Sequence, residues 1–194
     1  MLNPSSPRHA RQHGTSLVEV LVTLVILAFG LLGVAGLQAK MSLAEMESYQ
    51  RSQAILALTE MTERMSANIA QATSYLNAGT IGTSDTQPPN CTTLSGPTRD
   101  LCEWSNALKG ASEQKSAAKV GGMVGAVGCI TQLQAYNPAL GVCSAGIYQV
   151  SVAWQGMNPT ATPALVCGQG TFGANEANRR VIAATVTVGT TSCY

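Results

Sequence analysis

Histidine is nearly missing from this chain: only His9 and His13 occur, and none lies beyond Gly14. That absence removes Ser–His–Asp and Cys–His nucleophile arrangements, and every imidazole metal site, from the rest of the molecule. Charge is sparse as well, at 11% of residues, and aromatics reach only 5%. Arg8 and Arg11 take two of the eleven basic residues, so beyond Gly14 nine Lys/Arg face ten Asp/Glu. On so near-neutral a chain no basic face is large enough to suggest phosphate-backbone binding, and no nucleic-acid partner is expected. Beyond Gly79 the acids are Asp85, Asp100, Glu103, Glu113 and Glu176, scattered and without calcium-loop spacing. There is no CxxC pair to hold zinc. The stretch "GGMVGAVG" lacks the Lys-Ser/Thr of a P-loop. These absences read as no cofactor, no metal and no catalytic centre: not an enzyme.

Proline is absent from 15 to 76, and glycine occurs there only at Gly30, Gly33 and Gly36. The spacing predicts one continuous helix over this stretch. Its first part, within "RQHGTSLVEVLVTLVILAFGLLGVAGLQ", is apolar from 17 to 37 apart from Glu19 and Thr23. At ~1.5 Å per residue that run makes a helix of roughly 30 Å, enough to cross a hydrocarbon core. Arg8 and Arg11 precede it and Lys40 is the only nearby base after it. The positive-inside bias therefore keeps the N-terminus cytoplasmic and exports the remainder. Six cysteines, at 91, 102, 129, 143, 167 and 193, all lie in that exported part. An even number in an oxidising compartment predicts three disulfides, and 15 pairings are possible. Short loops suggest Cys91–Cys102 and Cys129–Cys143, which leaves Cys167–Cys193.

Glu19 is the informative residue. An acid inside a membrane span is expensive, and such residues are usually functional and paired. Nothing within 17–37 supplies a counter-charge, since the run has no Lys, Arg or His. The simplest alternative is snorkelling of the carboxylate to the headgroups. The other is a partner charge from a second subunit.

The stretch "HGTSLVEVLVTLVILAFGLLG" resembles the class III leader of type IV prepilins: a short basic leader ending in glycine, an apolar run, and Glu at the fifth position after the cut. The resemblance implies that a prepilin peptidase cuts between Gly14 and Thr15 and methylates the new amine of Thr15. Glu19 would then dock against the amine of a neighbouring subunit while the apolar helices bundle into a filament. "LAFGLLGVAGLQAK" and "YQRSQAILALTEMTERMSANIAQA" resemble the PilV-type minor pilins, also called type IV pilus modification proteins. "NCTTLSGPTRDLCEWSNALKG", "GCITQ" and "YQVSVAWQGM" are similar to the globular region of that family. The resemblance implies a type IV pilus, twitching motility and adhesion. It implies as partners the major pilin, other minor pilins, the prepilin peptidase, the inner membrane and a tip adhesin. The place would be a single pass through the inner membrane with a periplasmic domain, then the pilus. A pseudopilin of type II secretion shares leader and helix and is the nearest rival. A membrane-anchored adhesin or ligand-binding module, using loops 77–98 or 158–178, is a rival of another class.

Four regions are expected: a leader over 1–14, a transmembrane or filament-core helix over 15–39, an amphipathic half over 40–76, and a globular region over 77–194. In the third, Ala54, Leu58, Met61, Met65, Ile69, Ala72 and Leu76 recur at spacings of three and four. The loop 77–98 is rich in Gly, Pro, Ser and Thr. "RDLCEWSNALKGAS" predicts a short helix with Leu101, Trp104 and Leu108 on one face, and with Asp100 and Glu103 in water. Residues 109–128 read as loop. Strands are expected over 129–133, 147–154 and 181–188. In the second, Tyr148, Val150, Val152 and Trp154 alternate with Gln149, Ser151 and Ala153. In the third, Ile182, Ala184, Val186 and Val188 alternate with Ala183, Thr185 and Thr187. This alternation implies one face buried against the amphipathic helix and one exposed. Residues 158–178 form a long loop, and Arg179 and Arg180 read as a solvated strand edge. Trp104, Trp154 and the Met61/Met65 stripe read as core. The fold class is α+β: a type IV pilin fold, disulfide-bonded, with a long N-terminal helix packed on a small antiparallel sheet.

Overall fold

The protein is described here from a computed structural model covering residues 16–111, 114–115, 118–119, 122–139, 142–173 and 176–189. Helix α1 runs Leu17–Ala67, strand β1 Ile81–Gly82, and helix α2 Gly96–Leu108. Strands β2 (Gln114–Lys115) and β3 (Ala118–Lys119) form a separate small hairpin inside a stretch expected to be loop. Strands β4 (Val127–Gln134), β5 (Gly146–Gln155) and β6 (Arg179–Val188) follow. The main sheet is antiparallel with order β1-β4-β5-β6. The chain divides into two units, one ending at Ala44 and one beginning at Glu45.

In the second unit the apolar stripe of α1 meets the sheet. Ala54, Ala57, Leu58, Met61 and Met65 are buried together with Tyr148, Val150, Val152 and Trp154 of β5 and Val186 and Val188 of β6. Both tryptophans and both methionines are core, as the periodicity predicts. On β6 the alternation holds: Ala183, Thr185 and Thr187 are exposed while Val186 and Val188 are buried. On β5 the expected open face is corrected: Ser151 and Ala153 are buried, because Cys167 and Phe172 of loop 158–178 cover that side, with Ala153 packed in their cluster. Helix α2 supplies Leu101, Trp104 and Leu108, and the Trp104 indole Nε1 donates to the Ala57 carbonyl of α1 at 2.9 Å. The ring lies so close to β4 that a Cβ on Gly128 would sit 2.1 Å from Trp104 Cη2. Glycine is required there by close approach, and that accounts for the last glycine of "GGMVGAVG".

The spine is not one continuous helix. It stays α-helical through Gly30, Gly33 and Gly36 but ends at Ala67, and a 3-10 helix covers Ile69–Ala78. Asn68 (φ −111°) and Gln71 (φ −115°, ψ 18°) leave the helical range. Asn68 Nδ2 instead donates to Asp100 Oδ2 at 3.0 Å and to the Tyr75 hydroxyl at 3.1 Å. Asn competes with helical hydrogen bonding through such side-chain bonds. Fewer residues per turn in the 3-10 segment rotate the stripe, so Ile69 is 51% exposed rather than core.

Arg64 joins the end of α1 to α2. It contacts Glu60 at 2.7 Å, Asp100 at 2.8 Å and Glu103 at 2.7 Å. The expectation that Asp100 and Glu103 are simply solvated is therefore corrected, because α2 turns them onto Arg64. Burial by itself would lower the Arg64 guanidinium, but the hydrogen bonds it donates to Glu103, Asp100 and Glu60 outweigh it and raise the group above its ordinary value. Burial, followed by the hydrogen bond to Asp100, raises the Tyr75 phenol.

Two disulfides join described cysteines. Cys91–Cys102 ties the loop after β1 to α2, as short-loop reasoning suggests. The second is Cys129–Cys167, which corrects the expected Cys129–Cys143 and Cys167–Cys193. The reason is strand geometry. Cys129 lies opposite Ser151 on β5, whereas Cys143 sits beside the Asn137–Ser144 bridge at the far end of the hairpin. At ~3.3 Å per residue the two are roughly 20 Å or more apart, well beyond the ~7 Å Cα limit for a disulfide. Cys143 is disulfide-bonded too, and Cys193 lies outside the described residues.

The new bridge holds loop 158–178 from within. Arg179 assists: it is 2% exposed and donates to Glu176 and to the carbonyls of Leu165, Cys167 (3.0 Å) and Pro163 (3.2 Å). Arg180 donates to Glu47 at 2.8 Å and to the Asn158 carbonyl at 2.6 Å. The reading of this pair as a solvated edge is thus corrected: loop carbonyls and two carboxylates draw both guanidiniums inward.

Candidate functional site

The site expected from the sequence is the start of α1. Leu17 opens the helix, so Glu19 is its third residue. Ser16 precedes it, and the Glu19 backbone N–H donates to Ser16 Oγ at 3.2 Å and to the Ser16 carbonyl at 3.0 Å. This is the Ser-x-x-Glu start of a capping box, a signature present in the sequence itself. An acid in the first turn also meets the positive end of the helix dipole. The small hydroxyl residue before the apolar run therefore has a local duty in starting the helix.

Thr23, the other polar residue of the run, satisfies itself by donating to the Val20 carbonyl at 2.8 Å. The Glu19 carboxylate is different. No described residue offers it a hydrogen bond or ion pair. Around it, Leu17 is 83% exposed, Val18 69% and Phe29 71%, and every large apolar side chain from 17 to 37 is likewise exposed. The helix is long and apolar enough to cross a membrane, and its most apolar window has no buried residue. Leaving these side chains in water costs on the order of 20 kcal/mol relative to an apolar surrounding. The arrangement calls for an apolar surrounding that the described residues do not supply, and it places one carboxylate near the leading end of the apolar run.

Gly14 and Thr15, the expected cleavage pair, lie outside the described residues. The disulfide-bonded cysteines all belong to the second unit and stabilise it; none joins Glu19 in a site. The buried Arg179 and the Arg64 hub were not identified from the sequence. Their signals were modest but present, with Glu60 at i−4 from Arg64 and Glu176 at i−3 from Arg179.

Residues 9–35 match the prokaryotic N-terminal methylation motif. No curated protein and no solved structure matches the chain. The motif covers residues 9–14 of the expected leader, Glu19 and most of the apolar run, and it supports a type IV pilin-like protein of a pilus or pseudopilus. It points to a structural subunit anchored in a membrane through α1.

Proposed function

We propose that this chain is a minor pilin of the PilV type. In this reading residues 1–14 are a leader removed by prepilin peptidase, and Thr15 becomes the N-methylated terminus. Residues 15–39 hold the protein in the inner membrane and later in the filament core, and the cysteine-bearing region faces the periplasm. Glu19 docks on the terminal amine of an adjacent subunit, which supplies the cation that its own helix lacks. With other minor pilins and the major pilin it primes or joins the filament, supporting adhesion and twitching motility, and a tip adhesin is a further partner. The observation that carries the reading is the coincidence of a methylation motif over 9–35 with an unburied apolar run over 17–37 whose one carboxylate, Glu19, has no described partner.

The decisive experiment is mass spectrometry of the N-terminal peptide of the protein isolated from sheared filaments. The expected peptide begins with N-methyl-Thr15. A peptide beginning elsewhere, or a chain confined to the envelope of a strain that makes only a secretion pseudopilus, overturns it.

A further inference from the structure

The main sheet has two unlike edges. On one side, β1 is only two residues long and pairs with Gly128 and Val127 alone. Beyond it β4 carries a register irregularity between Gln132 and Gln134. Short edge strands and bulges are the usual protection against unwanted strand pairing. On the other side, β6 pairs with β5 without interruption over all ten residues. Its outer side has no neighbouring strand, and no backbone partner among the described residues. From 181 to 188 it has neither charge nor proline, so nothing blunts this edge. A row of alternating N–H and C=O groups is matched by one kind of object, another extended backbone.

At the end of this edge lies a cavity of about 400 Å³. Ile69, Ala72, Tyr136, Tyr148 and Val188 line it, so its walls are largely apolar. Val186 and Val188 point to this same face of the sheet, and the 3-10 segment leaves Ile69 at the cavity mouth rather than filling the space. We propose that the β6 edge is a docking site for an extended, uncharged segment of another polypeptide, which adds as a fifth strand and seats one large apolar side chain in this cavity. Main-chain bonds would supply affinity and the cavity would supply specificity.

A second copy of this chain fits poorly. Antiparallel pairing of two β6 strands in full overlap sets Arg179 and Arg180 of one copy opposite Val188 and Thr187 of the other, beside the apolar cavity. Those guanidiniums are committed to Glu176, Glu47 and loop carbonyls. The occupant is therefore a different polypeptide. This inference rests on the second unit alone and is independent of processing at Gly14.

The test uses the full-length protein in the cells that make it, with the photocrosslinking amino acid p-benzoylphenylalanine at the exposed Thr185 position. Adducts are mapped by mass spectrometry, and a synthetic peptide of the mapped segment is added to the full chain in detergent micelles. The expected peptide is uncharged, contains one large apolar residue, and slows hydrogen exchange of the 181–188 amides about tenfold. Ile69→Glu should abolish that slowing, while Leu133→Glu on the opposite edge should leave it intact. Both positions are more than half exposed, so both variants keep the fold. Adducts only to lipid or to this same chain, or a mapped peptide that leaves β6 exchange unchanged, overturn the proposal.

Discussion

Leu32 and Leu58 belong to the same helix, yet one is 69% exposed and the other 8%. The two halves of α1 use the same residue types in different patterns. In the first unit apolar side chains go all the way round the helix, which leaves no polar face for water and none to guide packing inside the chain. In the second unit they form a stripe, and the polar residues between them face solvent or ion pairs. The first pattern requires an apolar surrounding supplied by something else. The second folds against its own sheet. The comparison teaches that a defect in one half should be felt in assembly, and a defect in the other in folding.

The largest expected effect tests the first half. Glu19→Ala should reduce the amount recovered in sheared filaments more than a thousandfold, the equivalent of roughly 4–5 kcal/mol for an ion pair broken in an apolar setting. Denaturant unfolding of the second unit should not change. Normal recovery of the variant would break the assignment of Glu19 to docking. In the second half, Trp104→Ala removes a fully buried ring and its bond to the Ala57 carbonyl. It should cost about 4 kcal/mol in chemical denaturation. Replacing both Cys129 and Cys167 by Ala frees a bridge spanning 38 residues. The loss should be about 3 kcal/mol, with loop 158–178 becoming susceptible to protease. Arg64→Met, which leaves Glu60, Asp100 and Glu103 facing one another, should cost about 2 kcal/mol.

The smallest effects are those of pH, and they too belong to the second unit. Burial pushes the Asp85 carboxyl up, but Lys109 and the Gly82 N–H more than compensate and hold it below its ordinary range. Arg99 and Arg64 hold Glu103 down in the same way. A depressed carboxyl contributes stability above its unfolded value, near pH 4, and loses it as pH falls through the lower folded value. The raised Tyr75 phenol has the opposite sign: its contribution is complete below about pH 10 and is lost as pH rises beyond it. Melting temperature should therefore be level between those limits and fall by a few degrees at either end. Tyr75→Phe should flatten the alkaline fall and Asp85→Asn part of the acid one.

Much of this was legible along the chain. Helix α2, strands β4 to β6 and the two faces of β6 follow from local periodicity, because each pattern is written within a dozen residues. The second face of β5 does not, since Ser151 and Ala153 are covered by a loop distant in sequence. The Ser16–Glu19 cap is equally local, written in four consecutive residues. What failed depended on partners distant in sequence. Expected strands over 129–133 and 147–154 already imply a hairpin, and that hairpin forbids Cys129–Cys143. The conflict becomes visible only when register is considered together with cysteine spacing. Arg179 looked solvated because its acceptors are backbone carbonyls of Leu165, Cys167 and Pro163, which leave no trace in side-chain composition.

By itself the amino-acid order determined that the first half of α1 needs an apolar environment, that Glu19 enters it uncompensated, and that a small antiparallel sheet follows. Those are consequences of hydrophobic periodicity and charge, which act residue by residue along the chain. Only the tertiary structure decided which cysteines meet, where the spine changes to 3-10 geometry, that Arg64 and Arg179 become hubs, and which sheet edge is left open. Those depend on distances between elements, and a distance exists only once the chain has turned back on itself.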